Sequence, residues 1–403
     1  MNLWQQLKNR KINIDLVDKL LNQTEHEVKQ MTPINIIVAG KTGSGKSTLI
    51  NALFREKLAT TGVGQPITQS IEKITKDGMP LTLYDTKGLE LSAEVQEEVL
   101  RSLSDLIRSQ AEKGEREAID VIYYCINANM GRIESFEIEL IQALAEILPV
   151  IVVLTQAIGQ EHRDFVKYLQ GQELGAKRII PVLAKPYLIQ GEQYIPVHGL
   201  DTLIETTLDL VPGEVHKAFI NAQQIDLDRK VVSARSWAQK YITTAFGVGF
   251  SPMPVADATV LVPMQITMLA HITAIFGLSL DKAQIMSLIA GVGGTGGMTM
   301  LGKVIVGSAF KLIPGIGSVA GSVISGTTAS SLTLALAYGY IEVLKRIAQA
   351  EASGRDVPLK EIQEWMQTNF KEQLSVVGDA IPDQIKDTVL PHWFKGFFNG
   401  KDK

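Results

Sequence analysis

One octapeptide carries the first chemistry. Gly40-Lys41-Thr42-Gly43-Ser44-Gly45-Lys46-Ser47 sets three glycines, two lysines and three hydroxyls between the apolar run Ile34–Ala39 and Thr48-Leu49-Ile50-Asn51-Ala52-Leu53. Strand, glycine-rich loop and helix in that order make a phosphate cradle. The glycines let backbone N–H groups turn inward around an anion, at a helix N-terminus whose dipole favours negative charge. Lys46 is placed to reach β- and γ-phosphates, the Ser47 hydroxyl to ligate Mg²⁺, and Gly40 through Thr48 to line the bound phosphates.

A second constellation follows. Leu81-Thr82-Leu83-Tyr84-Asp85-Thr86-Lys87-Gly88 is an apolar strand ending in Asp-x-x-Gly. Asp85 could hold Mg²⁺ through water, and the Gly88 amide could contact a γ-phosphate and report its loss. Between the two motifs, Gly64-Gln65-Pro66-Ile67-Thr68-Gln69-Ser70 reads as a mobile loop. Thr68 is the candidate for the second Mg²⁺-ligating hydroxyl, with Thr60 and Thr61 as rivals. Lys46, Thr68 and Gly88 form the expected catalytic set.

These residues need a frame. From 34 to about 211, β-rich runs (34–39, 81–84, 119–126, 150–154 and 178–183) alternate with helical stretches, the pattern of a mostly parallel sheet with helices on both faces. Residues 1–32 carry recurring apolar positions (Leu3, Leu7, Ile14, Val17, Leu20, Leu21) and read as one or two amphipathic helices ending before Pro33. A long helix is expected over 214–245 and another over 357–376. The organisation expected is therefore 1–32 N-terminal helices, 33–212 an α/β sheet domain, 213–350 an all-α charge-poor domain, and 351–403 a C-terminal helix with an aromatic tail.

At this point the chain resembles a known group. Residues 34–211 look like a translation-factor-class P-loop GTPase domain of the Era-like and septin-like kind, and Gly40–Ser47 followed by Thr-Leu-Ile-Asn-Ala-Leu is similar to immunity-related (interferon-inducible) GTPases and their bacterial relatives. The resemblance implies GTP and GDP as ligands with Mg²⁺, and hydrolysis of GTP to GDP and phosphate. It also implies that Thr155 and Gln156, after the fifth expected strand, and Ala184-Lys185, in the manner of a Ser-Ala-Lys loop, approach the base. Two departures stand out. The position that usually carries a base-reading Asp is Ile158, which cannot accept hydrogen bonds from guanine. Where many relatives place a water-orienting Gln, this chain has Leu89, and Gly43 stands where potassium-activated relatives carry Asn. Slow intrinsic turnover is expected, with a second G domain docked face to face completing the site.

The charges are uneven. The whole chain carries 39 basic and 43 acidic residues, net −4, which argues against a strongly basic nucleic-acid binder. From 258 to 341, however, the only charged residues are Asp281, Lys282, Lys303 and Lys311. Uncharged runs cover 258–280, 283–302 and 312–341. Only 258–280 reads as a span of the roughly 20 residues a bilayer needs. Glycines at 291–297 break the second run, and 13 of the 30 residues of the third are Gly, Ser or Thr. Gly317, Gly321 and Ser325 form a small-residue face, while Lys303 and Lys311 could touch anionic headgroups.

The region from about 220 to 350 (Pro252-Met253-Pro254-Val255-Ala256-Asp257, Leu261-Val262-Pro263, Lys311-Leu312-Ile313-Pro314-Gly315) resembles an uncharacterised domain that follows GTPase domains in bacteria and cyanobacteria and is usually considered membrane-associated. The expectation is a compact helical domain whose apolar hairpins engage a membrane at its cytoplasmic face, against the alternative of a fully buried soluble bundle. Asp257 reads as an N-cap and His271 as a core or interfacial histidine. His392-Trp393-Phe394-Lys395-Gly396-Phe397-Phe398 suits a headgroup interface or a tail folded on the body. A lone Cys125 excludes a disulfide framework, the scattered histidines argue against zinc, and the polar first turn has no secretory character.

Overall fold

The structure is a computed structural model that describes residues 14–55, 58–61, 63–67, 71–86, 93–159, 161–190, 193–249, 256–293 and 321–377. Thr68, Gly88, Leu89, Lys303, Lys311, Gly317 and the 392–398 cluster lie outside the described residues. The chain divides into two compact units, Val28–Asp226 and a second made of Met1–Glu27 with Leu227–Lys403.

The first unit is α/β. Helix α1 (Ile14–Gln30) leads into β1 (Ile34–Ala39), followed by α2 (Lys46–Leu53), β2 (Val63–Pro66), β3 (Ile71–Thr75), β4 (Leu81–Thr86), α3 (Ala93–Glu112), β5 (Val121–Asn127), α4 (Ser135–Ala145), β6 (Val150–Thr155), α5 (Glu161–Gln170) and β7 (Arg178–Pro181). A hairpin of β8 (Tyr187–Gln190) and β9 (Gln193–Ile195) precedes α6 (Leu200–Leu210) and α7 (His216–Ala222). Seven strands form one sheet in the order β2-β3-β4-β1-β5-β6-β7. Strands β4, β1, β5, β6 and β7 run parallel, and the β2-β3-β4 edge is antiparallel.

Strand alternation gives the two-faced core. Ile34, Ile36 and Val38 of β1 pack with Leu49, Leu53, Leu203 and Phe219 on one face. Ile37 and Ala39 turn to the other, among Leu103, Ile107, Leu140 and Leu169. Central strands covered on both faces must be apolar along their whole length, and every residue of β1 is buried. The start of β1 is tied down by polar side chains. Asn35 donates from its amide nitrogen to the Arg116 and Ala118 carbonyls at 3.0 and 2.8 Å, and its backbone N–H donates to Asp120 at 2.8 Å. Burial raises the Asp120 pKa to about 6, against the opposing pull of that hydrogen bond.

Two expectations are corrected here. Part of the 64–70 loop is strand: β2 pairs antiparallel with β3, with Pro66 opposite Glu72. Pro66 lacks an N–H, and an edge strand is where that loss is tolerated. The single helix expected over 214–245 is two, α7 and then α8 (Leu227–Gly249). The break is at Gln223, whose side-chain oxygen accepts the N–H groups of Ile225 and Asp226, each at 2.8 Å, in place of helical carbonyls.

The second unit is helical: α1 as far as Glu27, α8, α9 (Ala256–Phe276), α10 (Lys282–Gly293), α11 (Gly321–Ala352) and α12 (Leu359–Val377). Because α9 begins at Ala256, Asp257 lies in its first turn rather than at its N-cap. Among the described residues no helix is long and apolar enough to cross a membrane, which corrects the span proposed for 258–280. Helix α9 contains Pro263 and stops before Gly277, whose φ is 70°. Two of its polar residues face protein partners: Gln265 donates to the Thr333 hydroxyl at 3.0 Å, and Thr273 and Tyr340 share a hydrogen bond of 2.7 Å. In α11, Gly339 permits close packing, since a Cβ there would lie 3.2 Å from the Phe370 backbone of α12. His271 is a half-buried interfacial residue. It bonds Tyr241 through Nδ1 at 2.6 Å and Glu27 through Nε2 at 2.6 Å, and stacks on Trp237 at 4.8 Å.

Lys230 closes α9. Its ammonium is buried and donates to the Phe276 and Ile275 carbonyls at 2.7 and 3.4 Å, two of the last-turn acceptors a helix cannot satisfy itself. Lys230→Met keeps the stem and removes the donor. It is expected to destabilise this unit by about 2 kcal/mol, the cost of leaving buried carbonyls unpaired, read as a lower urea midpoint with helicity retained.

Candidate functional site

The site lies at the carboxyl ends of β1, β4, β5 and β6, where an open α/β sheet offers a crevice for ligands. Gly40, Gly43 and Gly45 all have positive φ (140°, 77° and 86°), as inward-facing amides require. Gly45 is fixed twice over, because a Cβ would also meet the Thr155 hydroxyl at 3.0 Å. Lys46 opens α2 and is buried; its Nζ donates to the Gly40 and Lys41 carbonyls at 2.7 and 3.1 Å, so it curls back over the loop. Burial lowers the Lys46 pKa, outweighing the nearby Asp85 carboxylate, which raises it. Such a cation gains when an anion arrives.

Other expected residues converge on this loop. The parallel register sets Val38 beside Asp85, so the carboxylate stands next to the strand that feeds the phosphate loop. Ser47 is exposed at the helix start, while Thr42 and Gly43 are exposed at the loop crest and Thr48 is half-buried. The Ser44 hydroxyl is buried and has no hydrogen-bond partner among the described residues. An orphaned hydroxyl in a loop whose three glycines hold positive φ fits an anionic ligand. Ser47 and Asp85 are the oxygen donors that fit Mg²⁺; Thr68 lies outside the described residues.

Thr155, expected near the base, acts on the phosphate loop. Its hydroxyl lies 2.5 Å from the Ser44 carbonyl and 3.3 Å from that of Ile126. Gln156 follows in a left-handed conformation, φ 53°, and is exposed. Ala157 N–H donates to the Val182 carbonyl at 3.2 Å, which joins this loop to the segment leading to half-buried Ala184 and exposed Lys185. Ile158, next after Ala157, is half-buried. Thr155→Val leaves the Ser44 carbonyl without that donor and is expected to cost about 1–2 kcal/mol in sheet-unit stability, measured by denaturant unfolding.

Sequence reasoning misses the partners of Lys41. Its Nζ is 2.7 Å from Glu134 and 3.0 Å from Glu137, at the head of α4. Burial alone would lower the Lys41 pKa, but the hydrogen bonds and charges of Glu134 and Glu137 hold it above its ordinary value. What Lys41 offers a phosphate is therefore its backbone. The spacing of acids in Glu134-Ser135-Phe136-Glu137 at a helix start is the available signal, since a first-turn acid pair suits an N-terminus. Nothing in it points to a lysine so distant in sequence.

Val28–Asp226 has the mostly parallel sheet and flanking helices of the P-loop GTPase fold. Residues 35–156 match the family model described as 50S ribosome-binding GTPase, and residues 215–371 match a domain of unknown function, DUF697. Septin-9 of Rattus norvegicus is 28% identical over 193 residues, covering 40% of this chain and 34% of septin-9. GTPase Der of Dinoroseobacter shibae is 38% identical over 80 residues, 19% of this chain and 16% of Der. The chain thus spans about a third or less of the length of these curated relatives. Among solved structures, a probable GTP-binding protein engB is 22% identical, covers 44% of this chain and 97% of its own, and has a TM-score of 0.29.

Proposed function

We propose that this chain binds GTP and GDP with Mg²⁺, hydrolyses GTP slowly, and uses the cycle as a switch whose output is the helical unit. The observation that carries the reading is the loop itself: three glycines with positive φ, a buried lysine curled over the carbonyls, and an orphaned Ser44 hydroxyl, on a strand whose Val38 stands beside Asp85. In this reading the amides of Gly40–Thr48 and Lys46 bind phosphates, Ser47 and Thr68 ligate Mg²⁺ directly and Asp85 does so through water. Gly88 senses the γ-phosphate, and Gln156, Ala184 and Lys185 border the base. Lys46 neutralises charge as the γ-phosphoryl leaves.

Leu89 offers no hydrogen bond to an attacking water, so a second G domain, docked face to face, supplies what the single site lacks. The resemblance of the phosphate loop to Era-like and immunity-related GTPases supports this reading. The charge-poor helical unit is the part we assign to the cytoplasmic face of a membrane, as its lipid- or protein-binding end; the related alternative is a binding switch with negligible hydrolysis and no membrane role. Phosphate release measured against protein concentration tests the first claim. Specific activity should climb through the dimerisation range, and a flat profile defeats the paired site. Flotation with anionic liposomes, with and without a non-hydrolysable GTP analogue, tests the second; absence from the lipid fraction in both states defeats the membrane assignment.

A further inference from the structure

The residues between β5 and α4 touch both loops that would hold the two ends of a nucleotide. On the phosphate side, Lys41 pairs with Glu134 at 2.7 Å and with Glu137 at 3.0 Å. Glu137 is buried and fully engaged. Its Oε2 also accepts the Glu134 N–H at 3.2 Å, and its Oε1 accepts the Tyr124 hydroxyl at 3.4 Å. On the base side, the Asn129 amide donates to the Gln156 carbonyl at 3.2 Å. Asn129 is itself held by its backbone N–H, which donates to Asn127 Oδ1 at 3.0 Å and caps the helical turn Ala128–Met130. Beside the phosphate-side attachment, Thr42, Gly43 and Ser44 line an open cleft together with Asn127, Met130 and Arg132.

We propose that Lys41 is a positioning residue, and that with Asn129 it makes residues 127–137 a brace that sets the spacing of the phosphate and base loops before nucleotide arrives. This rests on the nucleotide reading above. Lys41 stays on its carboxylates and acts on the phosphates only through the loop backbone it anchors. A loop held in its binding geometry loses less freedom when ligand binds, so the brace acts on affinity. The Glu137 arm carries more of the effect than the Glu134 arm. Glu137 has a side-chain exposure of 5%, where an ion pair is little screened, while Glu134 is 54% exposed.

The test is the affinity and dissociation rate of a fluorescent GDP analogue with the full chain, for the wild type and for Lys41→Met, Lys41→Arg, Glu137→Gln, Lys41→Met/Glu137→Gln and Asn129→Ala. Lys41→Met and Glu137→Gln should each weaken binding about tenfold through faster dissociation, and Asn129→Ala about threefold, as expected for lost preorganisation. The double variant should be no weaker than either single one, because both break the same bridge. Lys41→Arg should recover to within about threefold of wild type, since a guanidinium can span two carboxylates. Wild-type affinity in Lys41→Met, a Lys41→Arg as weak as Lys41→Met, or additive losses in the double variant would each overturn the brace. Should thermal melts show Lys41→Met unfolded, Asn129→Ala decides alone, and wild-type affinity there overturns it. A wild-type chain that binds no guanine nucleotide removes the nucleotide reading and the brace together; binding that is insensitive to these variants removes the brace only.

Discussion

Lys46→Ala is expected to weaken GTP and GDP binding by about 100-fold or more, with the sheet unit still folded. The size follows from what the ammonium does in each state. Without ligand it is buried on the Gly40 and Lys41 carbonyls, and its pKa is lowered by desolvation. A di- or triphosphate restores full charge compensation, and a charge-assisted contact in a sheltered site is worth about 3 kcal/mol, close to two decades in affinity. The same lowered pKa sets a pH signature. Between the depressed folded pKa and 10.5 the unfolded chain holds the extra proton, so stability without nucleotide rises with pH across that window. Nucleotide, which prefers charged Lys46, should bind with proton uptake there, and Lys46→Ala should abolish that uptake. Calorimetry in buffers of different ionisation enthalpy reads it; unchanged affinity in Lys46→Ala would sink the phosphate role of this loop.

Local features of the site are legible in the sequence, and relations across it are not. The glycine spacing of 40–45 implies left-handed backbone, because only residues without Cβ take it cheaply, and all three glycines have positive φ. Asp85 is legible as a strand end because a strand ending in Asp-x-x-Gly has few ways to join a parallel sheet, and the register sets it beside Val38. Thr155 is legible as a position, but the partner of its hydroxyl is not. Its hydroxyl goes to Ser44, a contact created by sheet order rather than by anything near it in the chain. The Lys41 pair with Glu134 and Glu137 is hidden for the same reason. The end of β1 and the head of α4 meet only once β5 pairs with β1.

In the helical half, composition misleads in one respect. An uncharged run reads as a membrane segment, yet Gln265 and Thr273 in α9 are buried and hydrogen-bonded to α11. Residues without charge can make a protein interior as readily as a bilayer span, and hydropathy alone does not separate them. Periodicity also cannot see side-chain capping. Gln223 ends a helix that the pattern continues, because its carboxamide takes over two backbone donors.

The base end of the site yields the second large effect. Guanine presents N1–H and an exocyclic amino group, which call for an acceptor pair; the residue following Ala157 is Ile158, with no acceptor in its side chain. Discrimination against a purine lacking the amino group should therefore be weak, and inosine and guanosine nucleotides should bind within about threefold of one another. Ile158→Asp supplies two carboxylate oxygens at a half-buried position. Sites that hydrogen-bond a ligand group reject the analogue that lacks it far more strongly than apolar pockets do. The variant should raise the preference for GDP over IDP to about 30-fold or more, and should bind ADP less well than wild type does, because the adenine edge offers the new carboxylate no matching N1–H donor. Competition of GDP, IDP and ADP against a fluorescent GDP analogue measures all three. A wild type that already rejects IDP would show that guanine is read by other groups, and Ile158→Asp with unchanged selectivity would place the base away from residues 155–159.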